Sequence, residues 1–231
     1  MKYRTFAKNE KLSAIGLGCM SMSHAYGTPD DPESIRTLHL ALDLGINFWD
    51  TADVYGNGKN EELISQVLPQ NRDKIFIATK FGFRTDADAR LTGFDARPAY
   101  IKQAVEASLK RLMTNTLKLA QLADNDFRKN LPRYQQEHQD NNEKLAAGFA
   151  DIAKEKGCSP AQLALAWVLA QGDNIIPIPG TKKQDKLRDN AGSVDVVVTD
   201  EDKRNIEALL LKYPNIGDRY SEANKKFVDK S

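Results

Sequence analysis

Residues 47–56 read N-F-W-D-T-A-D-V-Y-G. Asn47 to Asp50 follows a helix-like run and a glycine, and reads as a short buried strand. Behind it comes a polar segment carrying Asp50, Asp53 and Tyr55. A second strand-like run, I-F-I-A-T-K-F-G over residues 75–82, delivers Lys80 at its end. Taken singly, Asp50 reads as a cap, Tyr55 as a loop aromatic and Lys80 as a solvated strand end. Together, at adjacent strand ends, they read as a tuned phenol. Free tyrosine has a pKa of about 10, a nearby ammonium favours the phenolate, and a carboxylate holds the ammonium in place. Such a tyrosine can donate its proton to a developing alkoxide near neutral pH.

Outward toward the N-terminus, Met1 to Lys11 alternates weakly and predicts a hairpin. Leu12 to Leu17 is the next strand candidate and runs into G-L-G-C-M-S-M-S. Gly16 and Gly18 allow a ligand or another backbone to come close. His24, Ala25 and Tyr26 follow in a loop that reads equally as pocket lining or as plain surface. Asp31-Pro32-Glu33 predicts a helix start with Asp31 as N-cap, Ile35, Leu38 and Leu42 mark its buried side, and Gly45 stops it. A second helix is predicted from about Asn60, with Glu61 and Glu62 in its first turn. Residues 81–97 read as a long polar loop, and Pro98 opens a third helix with a stripe of Ile101, Val105, Leu109 and Leu112. Strand and helix alternating three times is the pattern of parallel crossovers, in which active residues gather at the carboxyl ends of strands. Cys19, Asp50 and Lys80 all take that position.

The alternation then stops. From Met113 to Asn142 the sequence offers no strand candidate. A helix is predicted from Asn142 to Lys156, ended by Gly157, and Ser159-Pro160 begins another that is apolar nearly all round and therefore largely buried. Ile175 to Pro179, I-I-P-I-P, is the last strand candidate, its prolines barring a fully paired interior. Thr199 and Asp202 form a capping-box pattern at the start of a final helix that carries Ile206, Leu209 and Leu210, and Tyr213 to Ser231 reads as a surface tail.

The composition is that of a soluble globular protein: 231 residues, 41% hydrophobic and 28% charged. A net charge of +1 gives no electrostatic case for nucleic acid or an anionic membrane. No apolar run approaches the roughly 20 residues that span a bilayer. Cys19 and Cys158 are too few for a disulfide framework, and the N-terminus lacks the apolar core of a secretory signal. The expected location is the cytoplasm.

D-T-A-D-x-Y-G followed by A-T-K-F-G resembles the aldo-keto reductases, NADP-dependent oxidoreductases built as (β/α)8 TIM barrels. The resemblance implies that Tyr55 is the proton donor, Asp50 its supporting acid and Lys80 the lysine that tunes it. It places Gly18, Cys19 and Met20, together with Asp50, on the nicotinamide side of NADP(H). The later stretch G-T-K-K-Q-D-K-L-R-D-N resembles the family's site for the adenosine 2′-phosphate, with Gly180 and Thr181 giving backbone and hydroxyl contacts, Lys182 and Lys186 charge, and Asp189 and Asn190 facing adenine. A phosphate calls for cations and backbone N–H groups at a helix start. Between strand and helix the chain has no G-x-G-x-x-G of a Rossmann domain. The implied partner is a small-molecule aldehyde or ketone, and no metal is implied.

Residues 1–231 are expected to form a single barrel domain of this type, with the units of strands four to seven absent and the join near Met113-Thr114. The family's catalytic histidine ends its fourth strand, and His24, His39 and His138 do not match it. Three explanations stay open: residues missing from a longer chain, the favoured one; a half barrel whose strands eight, one, two and three form a contiguous sheet and whose open edges call for a second copy, a homo-oligomer; or an inactive remnant that binds NADPH or a partner. The alternative function is accordingly a regulatory or redox-sensing NADPH-binding module, similar to the potassium-channel β subunits.

Overall fold

In the computed structural model, which describes residues 1–6, 10–23, 27–86, 91–114, 118–119 and 136–214, the strand ending in Asp50 lies inside a parallel sheet. The sheet order is β3 (Leu17–Gly18), β4 (Phe48–Asp50), β5 (Phe76–Thr79) and β8 (Lys118–Leu119). Trp49 is level with Leu17 and Ile77, and Asp50 with Gly18 and Ala78, so the acid and the glycine stand at the same height. Helices α1 (Asp31–Asp43), α2 (Lys59–Ile64) and α3 (Pro98–Arg111) connect successive strands, as parallel pairing requires. Because side chains alternate across a strand, Trp49 points into the core while Phe48 and Asp50 share the other face. Trp49 is completely buried among Leu17, Leu38, Ile46, Ile64, Leu68 and Ile77. On the opposite face the Phe48 and Phe76 rings meet edge to face at 5.5 Å.

β8 overturns one expectation, since the stretch from Met113 to Asn142 does contain a strand. Ala78 pairs with Lys118 and Thr79 with Leu119. Two residues of pairing leave no periodicity to read, and what fixes them is the neighbouring strand. The last strand candidate is also reshaped. Residues 175–181 run beside β3 as an interrupted ladder: Gly16 N–H donates to Pro177 O (3.0 Å), Gly18 N–H to Pro179 O (3.2 Å) and Thr181 N–H to Gly18 O (3.3 Å), with a parallel bridge between Gly18 and Gly180. Pro177 and Pro179 have no N–H to donate, so the ladder is complete only at Gly18 and no regular strand forms. Among the described residues the sheet does not close into a barrel.

Other boundaries move for local reasons. Leu12 and Ser13 belong to β2 (Glu10–Ser13), which pairs antiparallel with β1 (Tyr3–Phe6), so the hairpin claims the first half of the Leu12–Leu17 candidate. The N-cap of α1 is Asp30, whose carboxylate accepts from Glu33 N–H at 3.0 Å. Gly45, at φ +72°, ends that helix as expected. The polar loop over 81–97 contains a small hairpin, β6 (Phe83–Thr85) and β7 (Leu91–Phe94). In α3 the most deeply buried positions are Ala104 and Ser108, flanked by the expected apolar residues.

Contacts divide the chain into two compact units, Met1–Ala123 with Val168–Asp195, and Asp124–Trp167 with Val196–Ser231. The sheet, its helices and α6 (Gln184–Gly192) lie in the first. The second holds α4 (Gln136–Glu155), most of α5 (Pro160–Leu169) and α7 (Asp200–Lys212) around Ala153, Leu163 and Ile206. α4 begins six residues before the expected start, and α5 buries only Leu163 and Ala166, less than its composition implied. The capping box is present: Asp202 N–H donates to Thr199 Oγ1 and Thr199 N–H to Asp202 Oδ2. The loop of His24, Ala25 and Tyr26 and the tail beyond residue 214 lie outside the described residues.

Candidate active site

Lys80 follows the last residue of β5 and is 3% exposed. Its ammonium donates to Asp50 Oδ1 at 2.6 Å and to Thr51 O at 2.8 Å. The same nitrogen lies 5.4 Å from the centroid of the Tyr55 ring, itself buried. Backbone bonds lock this arrangement: Thr51 N–H donates to Ala78 O, Asp53 N–H to Lys80 O and Cys19 N–H to Asp50 O, at 2.9, 3.0 and 2.9 Å. Asp50, Tyr55 and Lys80 are thus assembled at one sheet end, as the sequence implied. Burial pushes the Asp50 carboxyl up, opposed by the Lys80 ammonium. The buried ammonium, held by a carboxylate and a carbonyl, stands over the phenol ring at cation–π distance.

The other expected cofactor contacts at this end divide. A side chain added at Gly18 would put its Cβ 3.0 Å from Ile178 O and 3.1 Å from Gly180 Cα, so any larger residue would press the neighbouring backbone outward. Cys19 is fully buried, and burial, reinforced by the Asp50 charge, drives its thiol far above the ordinary range. It stays protonated at neutral pH, and its backbone is taken up within the protein, the N–H by Asp50 O and the carbonyl by Asn60 Nδ2. Met20 is half-buried at the start of a 3-10 turn, Met20–Met22.

Behind the site lies a charged cluster that the sequence did not announce. Glu61, read as an acid suited to the helix dipole, is completely buried. It accepts from Arg111 Nε and from Thr79 Oγ1, both at 2.7 Å. The i,i+50 spacing of Glu61 and Arg111 carries no local signal. A cavity of about 340 Å³ opens beside them, lined by Asp53, Val54, Phe83, Arg84, Tyr100 and Arg111 among others. One carboxylate oxygen of Asp53, Oδ1, is buried without a hydrogen-bond partner.

The second motif stands on the same rim, because Gly180 pairs with Gly18. Thr181 is buried and its hydroxyl accepts from Lys183 N–H at 3.0 Å, fixing the turn into α6. Lys182 Nζ donates to Thr28 O, and Lys186 is exposed 3.8 Å from Asp185. Asp189 is half-buried and Asn190 buried. Lysines 182, 183 and 186 around a helix start make a donor set that fits a phosphate. One feature opposes it: Glu33 accepts from Gln184 N–H at 3.3 Å, so an acid already occupies part of that turn. Glu33 is held below the usual carboxylate range by its hydrogen bond from Arg36, which also balances its charge.

No histidine joins the site among the described residues. His39 is exposed on α1 and His138 lies in α4 of the other unit. The residues that follow β8, A-Q-L-A-D-N-D-F, contain none.

Against known proteins, a family profile described as "Aldo/keto reductase family" matches residues 14–132 and 127–211, so its first stretch runs through Met113-Thr114. The Schizosaccharomyces pombe aldo-keto reductase yakc, whose name carries NADP(+), is 27% identical over 96% of this chain and 96% of its own. Among solved structures, a glycerol dehydrogenase from Gluconobacter oxydans superimposes with a TM-score of 0.79 at 22% identity, covering 93% of this chain and 96% of its own. An aldo-keto reductase from Klebsiella pneumoniae in complex with NADPH gives 0.64 at 20%, covering 93% and 96%.

Proposed function

From the premise that the chain belongs to the aldo/keto reductase family, whose members act as NADP-dependent oxidoreductases on a (β/α)8 barrel, we propose that it reduces an aldehyde or ketone to the alcohol with NADPH. The observation that carries the reading is the buried Lys80 ammonium, paired with the half-buried Asp50 and set against the Tyr55 ring. Gly180, Thr181, Lys182, Lys186, Asp189 and Asn190 would hold the adenosine end of NADP(H), and Gly18, Cys19, Met20 and Asp50 the nicotinamide end. When bound, the nicotinamide supplies hydride to the carbonyl carbon.

The protein's part is position and a proton. Tyr55 donates its phenolic proton to the carbonyl oxygen as charge develops there. Lys80 favours the phenolate left behind, and Asp50 and Thr51 O keep the ammonium in place through the bonds at 2.6 and 2.8 Å. Because these groups are buried and already hydrogen-bonded, little reorganisation accompanies proton transfer. The 231 residues act as one barrel domain in the cytoplasm, with a homo-oligomer as the form that would cover its open edges. The family profile matches in two stretches that overlap at 127–132.

A panel of aldehydes and ketones with NADPH absorbance as readout tests the activity. Turnover that requires both carbonyl and NADPH is expected, and its absence across the panel overturns the reading. Lys186→Ala should weaken NADPH at least about tenfold while changing NADH little, since a lost charged contact costs about 1.5–3 kcal/mol; equal loss for both would remove Lys186 from the phosphate site. A regulatory NADPH-binding module is the second reading, favoured by the missing histidine after β8. Tight nucleotide binding without turnover would select it.

A further inference from the structure

Asn60, the second residue of α2, is completely buried, and its side chain ties the helix to two other segments, 19–23 and Thr51. Its Nδ2 donates to Cys19 O at 2.8 Å and to Ser23 Oγ at 3.0 Å. Its Oδ1 accepts from Thr51 Oγ1 at 2.6 Å, and its backbone N–H donates to Tyr55 O at 3.3 Å. An asparagine side chain has two donor hydrogens and one acceptor oxygen, and here both ends are used. Each segment it holds bears on the site. Thr51 is the residue whose carbonyl accepts from Lys80 Nζ, Cys19 follows the strand end beside Asp50, and Tyr55 is the phenol itself.

A residue needed only to start a helix would cap it or face solvent; the cap position of α2 belongs to Gly58. Leucine or alanine at position 60 would bury as easily but would leave Cys19 O without this donor and the Thr51 hydroxyl without this acceptor. Cys19 follows the end of β3, and Thr51 opens the loop after β4 that carries Tyr55. The amide adds a side-chain tie between these two strand ends to the backbone bonds already there.

We propose that Asn60 is a positioning residue: its amide ties Thr51, which opens the Tyr55 loop and whose carbonyl steadies Lys80, to the β3 end at Cys19 in one geometry for proton donation. This rests on the reading of Tyr55 as proton donor. Asn60 touches neither the carbonyl nor the phenolic oxygen and acts through the residues it holds. Removing the amide leaves the phosphate-binding lysines intact, so the effect belongs to the chemical step and to the ionisation of Tyr55. Misplacement of a catalytic group by about 1 Å is enough to cost around a hundredfold in rate.

The test uses the full chain carrying Asn60→Ala, and separately Thr51→Val, which deletes only the hydroxyl bonded to the amide. Three quantities are read: kcat and KM for an aldehyde, NADPH affinity by fluorescence without substrate, and the titration of the Tyr55 Cζ carbon in protein labelled with ¹³C at tyrosine Cζ, its resonance identified by loss in Tyr55→Phe. Asn60→Ala should lower kcat about thirtyfold, leave KM and NADPH affinity within about threefold, and move the Tyr55 titration to higher pH as Lys80 loses its fixed acceptor. Thr51→Val should act in the same direction at roughly fivefold. Unchanged kcat and an unmoved titration in both variants would overturn the proposal, as would a loss of rate that tracks only the unfolded fraction. Where Asn60→Ala does not fold, Thr51→Val decides alone. A wild type without turnover whose Tyr55 titration still shifts in the variants would defeat the carbonyl-reduction reading and leave the positioning role standing.

Discussion

Burial, and then the negative charge of Glu61, raise the pKa of Asp53 to about 6, with Arg111 pulling the other way. In the unfolded chain the same carboxyl titrates near 4. Between those values the folded state holds the proton that the unfolded state has released. This group therefore favours folding at low pH, and its contribution is lost as pH rises through about 4 to 6. Asp53→Asn should flatten that fall and stabilise the protein at neutral pH by about 1–2 kcal/mol. Urea midpoints of both proteins across the window check it; a constant difference from pH 4 to neutral would contradict the assignment. The single residues of the site were legible where the chemistry is local. Asp50, Tyr55 and Lys80 lie within about thirty positions, at or just past the ends of β4 and β5, which pair directly, so residue type and spacing were enough to expect them together. Glu61 with Arg111, and Asn60 with Cys19, were not legible, because each joins positions that only the fold brings together.

At the scale of elements, helices with strong end signals were read well, and paired elements were not. α7 is the clear case, with Thr199 and Asp202 exchanging bonds at its start and Lys156 Nζ donating to Asp202 at 2.6 Å. Thr199→Ala removes the hydroxyl that accepts from the Asp202 N–H, and thermal unfolding should show a loss of about 1 kcal/mol. An unchanged melting temperature would mean that the cap contributes nothing. By contrast, β8 is two residues long and the segment at 175–180 is interrupted by prolines. Neither has an alternating pattern, and each is defined by the strand beside it. The hairpin of β6 and β7 was hidden for a related reason: its strands are three and four residues long, and its pairing includes an irregular register at Arg84 and Thr85. The interrupted ladder still matters for the site, because it sets Thr181 and the lysines on the rim that also carries Asp50.

Over the whole molecule, the parallel order of the 175–180 segment, β3, β4, β5 and β8 follows from the alternation of strand and helix, and the neighbourhood of the first and last strands was foreseen from the half-barrel reading. The number of strands was not, since composition and periodicity say nothing about a two-residue strand. The account of function rests on one sector of this sheet, where an ammonium, a carboxylate and a phenol are buried together, with an anion-suited helix start on the same rim. The most direct measurement is carbonyl-dependent NADPH oxidation by wild type and Tyr55→Phe, with NADPH affinity determined for both. The account predicts at least about a hundredfold loss of turnover with NADPH affinity changed by less than about threefold, since the deleted hydroxyl belongs to the proton and not to the nucleotide. Wild-type turnover in Tyr55→Phe would contradict it.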